Sequence, residues 1–369
     1  MRIGVVGLHF GAAFVPIYQQ HPDVEQVAIC DLNEEVLQRV GERFHIADRY
    51  THLEDLLNDV RYDAVHLLTP VPLHVEHTLA VLKAGKHCAC AVPMATNLED
   101  LWRVIEAQQA SGKNYMMMET GAYLRETFYV QELYARGELG TLTFLRGTYY
   151  QDLEGDYPTY WRAQPPMHYL THALAPLLAI TQGRIAKVSC MGSGRLRSDI
   201  QQPGGNTFPL QSGLFQFAES ELVAEVTRSW FQVAHPNTEA FSVYGDKRSF
   251  EWLLEHEKPL LFTLEPVQPS RRGRTVTTEQ VTVPYRPDLL PEAIAQFATG
   301  GHGGSHPHLA HEFVRSIVEG RAPAIDAYRA AEWTAPGICA NESSLRGGEL
   351  VFIPAFRAAD GSGAAVIPK

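Results

Sequence analysis

Tyr169 and His172 stand three residues apart near the start of a helix read over residues 168–181, so a hydroxyl and an imidazole project from one face. Such a pair can pass protons, and histidine titrates in the useful range. The same two residues also fit a core histidine satisfied beside a packing tyrosine. Just upstream, YYQDLEGDYPTYWRAQPPMHYLTH (149–172) gathers five tyrosines, Trp161, three acids and Arg162 in a short span. Sugars offer apolar C–H faces and a rim of hydroxyls, and aromatic platforms mixed with carboxylates and arginine suit both. Tyr149, Asp152, Trp161 and Arg162 are therefore candidates for a sugar pocket, although the aromatic edge of a sheet would have the same composition. Further on, Gly300-Gly301-His302-Gly303-Gly304 is a loop able to approach a ligand closely while presenting one imidazole.

A second kind of chemistry is written at the N-terminus. Gly7-Leu8-His9-Phe10-Gly11 follows an apolar strand and opens a helix. Gly7 suits a tight turn, and Gly11 lets the helix start close to the sheet with its amides facing a pyrophosphate. His9 stands where the middle glycine of a dinucleotide fingerprint would be, so a tight strand–helix turn without ligand remains open. Asp31 ends the second strand twenty residues after Gly11, where a carboxylate can hold the adenosine ribose hydroxyls. It also fits a cap for the next helix. Leu32 and Asn33 supply no arginine for a 2′-phosphate, so NAD is expected rather than NADP. The stretch CACAVPMAT (88–96) ends another strand and holds no good proton carrier.

Those residues need elements to position them. The first 120 or so residues alternate strand and helix signals: strands near 2–6, 26–31, 64–68, 87–90 and 114–118, with helices over 11–20, 33–44, 73–84 and 98–111. That order implies a doubly wound parallel sheet. Beyond Gly121 the strands cluster, at 141–150, 185–193, 213–218, 221–230, 240–245 and 248–253, with helices over 125–136 and 168–181. This is an α+β pattern with a mostly antiparallel sheet. Residues 264–304 read as loops, and helices 307–319 and 327–346 come last, the second kinked by Pro336. The expectation is two domains, 1–121 and 122–369, the C-terminal helices belonging to the second.

Composition narrows the class. The chain of 369 residues is 45% hydrophobic and 20% charged, with a net charge of −11 from 42 acids and 31 bases. Neither a basic run nor a basic excess is present, which argues against nucleic acid or an anionic membrane as partner. The N-terminus enters a strand with no leader-like pattern, and five scattered cysteines form no C-x-x-C pair, so a cytoplasmic protein with reduced thiols is expected. Cys88 and Cys90 read as packing. His302, His306, His308 and His311 raise a zinc reading, but Pro307-His308 opens a helix and no carboxylate completes a set; no metal is expected, and His306 and His308 read as helix-start or surface residues.

Several stretches together resemble the glucose–fructose oxidoreductase/inositol dehydrogenase (Gfo/Idh/MocA) family: GLHFGAAF at 7–14, LLTPVPLHVEHTLAVLKAGKH at 67–87, AVPMA at 91–95 and GTLTFLRGTY at 140–149. The resemblance implies a Rossmann domain before an α+β domain with a large open sheet, NAD as cofactor, and a sugar between that sheet and the nicotinamide. It places Gly7, His9, Phe10, Gly11, Asp31, Thr69, Pro70, His74, Val92, Pro93 and Glu119 around the cofactor. Typical members carry Glu-Lys-Pro where this chain has Ala91-Val92-Pro93, and their lysine aids proton transfer. The chain is similar on this point to the family's NAD-dependent glycoside hydrolases, which have Val-Pro, a Tyr-x-Thr-His motif, a Gly-Gly-His-Gly-Gly loop and an upstream tyrosine, matched here by Tyr169–His172, 300–304 and Tyr149.

That likeness implies hydrolysis by transient oxidation at C3, elimination across C1–C2, water addition and re-reduction. His172 would take the hydroxyl proton, with Tyr169 or Tyr149 handling the C2 proton or the leaving group. Trp161, Arg162, His302, Asp152 and Arg146 would bind substrate. Arg146, Arg162, Arg195 and Arg197 could meet an anionic sugar such as a sulfoquinovoside, on which some of these hydrolases act, or be solvated or ion-paired. A net sugar or polyol dehydrogenase and a silent NAD- or sugar-binding protein are the alternatives. Family likeness also implies a homodimer or homotetramer, with an apolar outer sheet face covered by another subunit.

Overall fold

A computed structural model of the chain describes residues 1–155, 157–203 and 205–357. Its contacts separate two compact units: Met1–Tyr123 with Tyr285–Ala331, and Leu124–Pro284 with the residues from Glu332 onward. Asp156, one of the acids of the aromatic stretch, lies outside the described residues.

The first unit runs β1 (Arg2–Val6), α1 (Leu8–Gly11), α2 (Val15–Gln20), β2 (Gln26–Cys30), α3 (Glu34–Arg43), β3 (Arg49–Tyr50), α4 (Leu53–Asn58), β4 (Ala64–Leu67), α5 (His74–Lys83), β5 (His87–Cys90), α6 (Leu98–Ser111) and β6 (Tyr115–Met117). The strands are all parallel in the order β3-β2-β1-β4-β5-β6. The chain leaves β1 toward β2 and β3, then crosses back to β4. The crevice where strand order reverses, at the carboxyl ends of β1 and β4, is where such sheets bind ligands. Two helices stand where one was expected over 11–20. Pro16 sits in the first turn of α2, where its missing N–H is harmless, and it could not have continued a helix from α1. Asn33 caps α3 as read, its side chain accepting from the Glu35 and Val36 amides.

The second unit contains α7 (Arg125–Ala135), β7 (Leu142–Tyr150), α8 (Thr171–Thr181), β8 (Ile185–Ser193), β9 (Leu210–Phe217), β10 (Val223–Ser229), β11 (Thr238–Gly245), β12 (Arg248–Glu251), β13 (Leu260–Leu264) and β14 (Val276–Gln280). With β15 (Val351–Phe352) these strands form one sheet in the order β14-β13-β12-β11-β7-β10-β9-β8-β15, antiparallel throughout except for the β7–β10 pair. The sheet's inner face packs on α8, a helix buried along nearly its whole length. Gly147 makes that approach feasible, because a Cβ there would lie 2.0 Å from the Ala173 carbonyl oxygen. The opposite face is mixed rather than apolar. An Arg146–Glu225 ion pair at 2.9 Å and a Ser212–Thr227 hydrogen bond at 2.7 Å lie beside exposed Leu214 and Met191. Strand β14 falls inside the stretch read as loops; all five of its residues are exposed, so it has no alternation for a pattern to detect.

The chain returns to the first unit through 285–331, with α9 (Glu292–Ala295) and α10 (Ser305–Val318), before α11 (Ala327–Leu345). Leu309, Ala310, Phe313 and Val314 of α10 share one core with Ile3, Val5, Phe14 and Tyr18. The expected grouping of this helix with the second domain is therefore replaced by burial against β1 and α2. His306 and His308 stand at the start of α10 as read, and both are buried rather than on the surface. His21, on the turn after α2, meets His311 of α10 at 2.9 Å between ring nitrogens.

This unit buries imidazoles with little compensating charge: Asp23 lies 4.0 Å from His21 Nδ1 and opposes the effect of burial without overcoming it. Burial above all pulls His21 down to about 4, His66 to about 3, His306 to about 3 and His308 to about 4. The unfolded chain binds these protons near pH 6.5 and the folded unit does not, so stability present above pH 6.5 is lost as pH falls toward 4. A melting temperature lower by roughly 10 °C at pH 5 than at pH 7.5 is expected by scanning calorimetry. Equal values would show that these rings are not held neutral.

Candidate active site

Gly7 follows β1 with φ of 89°, the left-handed region, and a Cβ there would meet the Leu68 carbonyl oxygen at 2.5 Å. The next amide, Leu8 N–H, donates to Asp31 Oδ2 at 2.7 Å, while Asp31 Oδ1 accepts from Asn33 N–H at 2.9 Å. Asp31 thus ties the glycine turn to the end of β2 and presents its carboxylate at the carboxyl edge of the sheet. Gly11 packs closely, with its Cβ position 3.1 Å from both Leu68 Cδ1 and Val5 Cγ1. His9 and Phe10 are exposed on α1. Phe10 meets the rings of His302 and His306 edge-on, both at 5.4 Å, so His302 belongs to the first unit together with the nucleotide turn. His302 itself has φ of 47°, held between glycines.

At the next two loops, His74 is buried and reaches two backbone carbonyls, Thr69 and Pro93, each at 2.8 Å. His77 Nδ1 lies 3.2 Å from Thr69 Oγ1. Pro70 is exposed, and Val92 and Pro93 are buried at the end of β5. Glu119 is buried just past β6, and its Oε1 accepts from the Gly121 amide at 2.8 Å.

The second unit assembles a different group. Residues 166–169 form a single 3₁₀ turn after Pro165, so Tyr169 ends that turn and His172 enters α8 as its second residue. Their ring centroids are 5.0 Å apart. Tyr149 of β7 meets His172 edge-on at 5.4 Å, and His172 Nδ1 lies 3.8 Å from Glu239 Oε1. The three residues expected to carry proton transfer, Tyr149, Tyr169 and His172, are thus brought together, and Glu239 joins them. Trp161 completes an aromatic wall, 5.1 Å from Tyr169 and 5.0 Å from Trp230. Arg162 is half-buried beside it in the 159–163 turn.

Beneath the wall lies Arg228, fully buried. Its guanidinium sits 4.0 Å from the Tyr149 ring centroid and 3.9 Å from that of Trp230. It donates to the Tyr149 carbonyl at 3.0 Å, the Ser229 carbonyl at 2.7 Å and Gln151 Oε1 at 2.5 Å. Burial lowers its pKa to about 10, with Tyr149, Tyr169 and Glu239 opposing, so it stays charged near neutrality. Burial and then Glu239 push the Tyr149 phenol well above 10, against the pull of Arg228. Tyr149 therefore remains a phenol and a proton donor at neutral pH.

Two expected substrate residues are not in this group. Arg146 is three residues from Tyr149 on the same strand, hence on the opposite face, and pairs with Glu225 there. Asp152 is exposed and accepts from the Glu154 amide at 3.0 Å, capping its own turn. Arg197 is taken up by Glu154 and Asp199 at 2.8 and 3.1 Å. Glu239, Arg228 and Trp230 were not among the sequence candidates. Glu239 and Arg228 reach Tyr149 only through strand pairing, as its direct neighbours on β11 and β10.

The first unit's turn fits a dinucleotide: a position that tolerates no side chain, followed by an amide and a carboxylate at the strand ends. Gly7, Gly11 and Asp31 would hold the adenosine and pyrophosphate half. Asp31→Ala is expected to weaken NAD binding at least about tenfold, since it removes both the ribose acceptor and the tie to Leu8. Fluorescence titration checks this; unchanged affinity would remove Asp31 from the site.

Two profiles of one family match the chain: the "Oxidoreductase family, NAD-binding Rossmann fold" over residues 1–119 and the "GFO/IDH/MocA C-terminal domain" over 128–251. A protein of Saccharopolyspora erythraea named glycosyl hydrolase family 109 protein is 24% identical over 389 residues, covering 96% of this chain and 83% of that protein. One of the same name from Shewanella baltica is 30% identical over 198 residues, 48% of this chain and 43% of its own length. A solved levoglucosan dehydrogenase in complex with NADH and levoglucosan has the same fold, with a TM-score of 0.77 and 20% identity over 96% of this chain and 99% of that one. With both domain profiles in place, a glycine turn and a strand-end aspartate for NAD, the chain belongs to the Gfo/Idh/MocA family of oxidoreductases.

Proposed function

We propose that this protein is an NAD-dependent glycoside hydrolase that acts by transient oxidation of its sugar. The observation that carries the reading is the cluster of His172, Glu239, Tyr149 and Tyr169 in a chain whose β5 end offers only Val92 and Pro93. A proton acceptor is needed wherever a ring hydroxyl becomes a ketone, and the second unit supplies an imidazole next to a carboxylate. The names of the family 109 relatives favour the same activity.

NAD, which Gly7, Gly11 and Asp31 would hold, would supply reversible hydride transfer at the C3 carbinol. His172 takes the C3 hydroxyl proton, and Glu239 steadies the imidazolium that results. The C3 ketone acidifies the C2–H; a base removes that proton and the C1 substituent leaves with its bonding pair. Tyr149, a phenol at neutral pH, protonates the leaving oxygen, and Tyr169 handles the C2 proton. Water adds at C1 of the enone, C2 regains a proton, and reduction at C3 restores the alcohol. The Trp161–Tyr169–Trp230 wall takes the apolar face of the sugar, with Arg162 at its rim. We further propose that two or four copies associate through the sheet face that carries Leu214 and Met191.

Aryl glycosides test the reading. Phenol release without accumulating NADH supports it; NADH formed in step with product makes the protein a net dehydrogenase instead. Product made in heavy water is expected to carry deuterium at C2, and full retention of hydrogen there excludes the elimination. His172→Ala is expected to lower turnover at least about a thousandfold while leaving NAD affinity within a few-fold. Near wild-type rates would remove His172 from the chemistry.

A further inference from the structure

His74 opens α5 with its ring buried between two loops. Nε2 faces the Thr69 carbonyl oxygen at 2.8 Å, in the loop between β4 and α5. Nδ1 faces the Pro93 carbonyl oxygen, also at 2.8 Å, in the loop between β5 and α6. A carbonyl oxygen only accepts. A neutral imidazole has one N–H and one lone pair, so it satisfies one of these contacts and sets lone pair against lone pair in the other. Only the doubly protonated ring donates to both.

We propose that His74 is a doubly protonated positioning residue, a fixed buried cation that clamps these two loops in the spacing the nicotinamide half of NAD requires. The proposal rests on the NAD site of the first unit and not on the glycosidase reading. The surroundings agree. Burial opposes the charge, but neighbouring Cys90 and the two carbonyls outweigh it and push His74 up to about 9. His77, the other titratable ring here, is lowered by burial and then by His74, which leaves it neutral beside Thr69. The clamp ties positions 19 residues apart, joining β4 and β5 beyond the end of their backbone ladder. A fixed positive charge at these loop ends disfavours a second one beside it, so neutral, reduced NADH gains over the oxidised pyridinium.

Neutron diffraction from deuterium-exchanged crystals of the full chain at neutral pH reads the ring directly. Deuterium on both Nδ1 and Nε2 is expected; a single deuteron overturns the proposal. His74→Gln keeps a donor but loses the charge. In it the NADH dissociation constant is expected to rise about fivefold or more relative to that of NAD+. An equal loss for both forms would reduce His74 to a structural cross-link. If that variant does not fold, the wild-type preference for NADH over NAD+ measured from pH 7 to 10 replaces it. The preference must fall as His74 loses its proton near pH 9, and a flat ratio overturns the charge assignment.

Discussion

One rung of the second sheet carries the rest of the site. Glu239, Tyr149, Arg228 and Gln211 sit side by side on β11, β7, β10 and β9, in direct register and on the face turned toward α8. Hydrogen-bonded pairing sets their spacing, so carboxylate, phenol and guanidinium meet at fixed separations without any flexible loop. Gln211 anchors the far end: it accepts from the Met167 amide at 2.9 Å and donates to Asn341 and Ser344. The 3₁₀ turn that delivers Tyr169 therefore hangs from the same rung. A slip of one residue in any of these strands would turn its member of the rung to the opposite face.

Burying a charge is costly unless its hydrogen bonds are met, and Arg228 meets that demand at its two terminal nitrogens, while the buried Nε has no hydrogen-bond partner among the described residues. Three neutral oxygens accept its N–H groups and two aromatic faces cover its plane. Among the described residues no carboxylate accepts a hydrogen bond from the cation, and Glu239 favours its charge only through the field. Its charge acts on Tyr149 against the desolvation that holds that phenol's proton in place. Removing Arg228 would alter both the packing of the wall and the acidity of the Tyr149 phenol.

The first unit solves the complementary problem, presenting backbone where a large anionic cofactor must approach. Gly7 accepts a conformation and a proximity to Leu68 that no other residue tolerates, and Asp31 pins the following amide. The returning helix α10 closes the other side of this core. A segment more than 280 residues from β1 in sequence thus completes the nucleotide-binding unit, and the GGHGG loop arrives with it.

Local signals sufficed for much of this protein. Gly7, Gly11 and Asp31 at their spacing, Asn33 as a cap, the parallel alternation of the first 120 residues and the grouping of Tyr169 with His172 all follow from backbone preferences and helical or strand period. Tertiary structure alone decided which strands became neighbours. It selected Glu239 and Arg228 as partners of Tyr149, sent Arg146 to the other face, and turned α10 back onto β1. The physical reason is range: a turn or a cap is settled within a few residues, whereas register and long returns depend on burial summed over segments far apart in the chain, which no window of sequence contains.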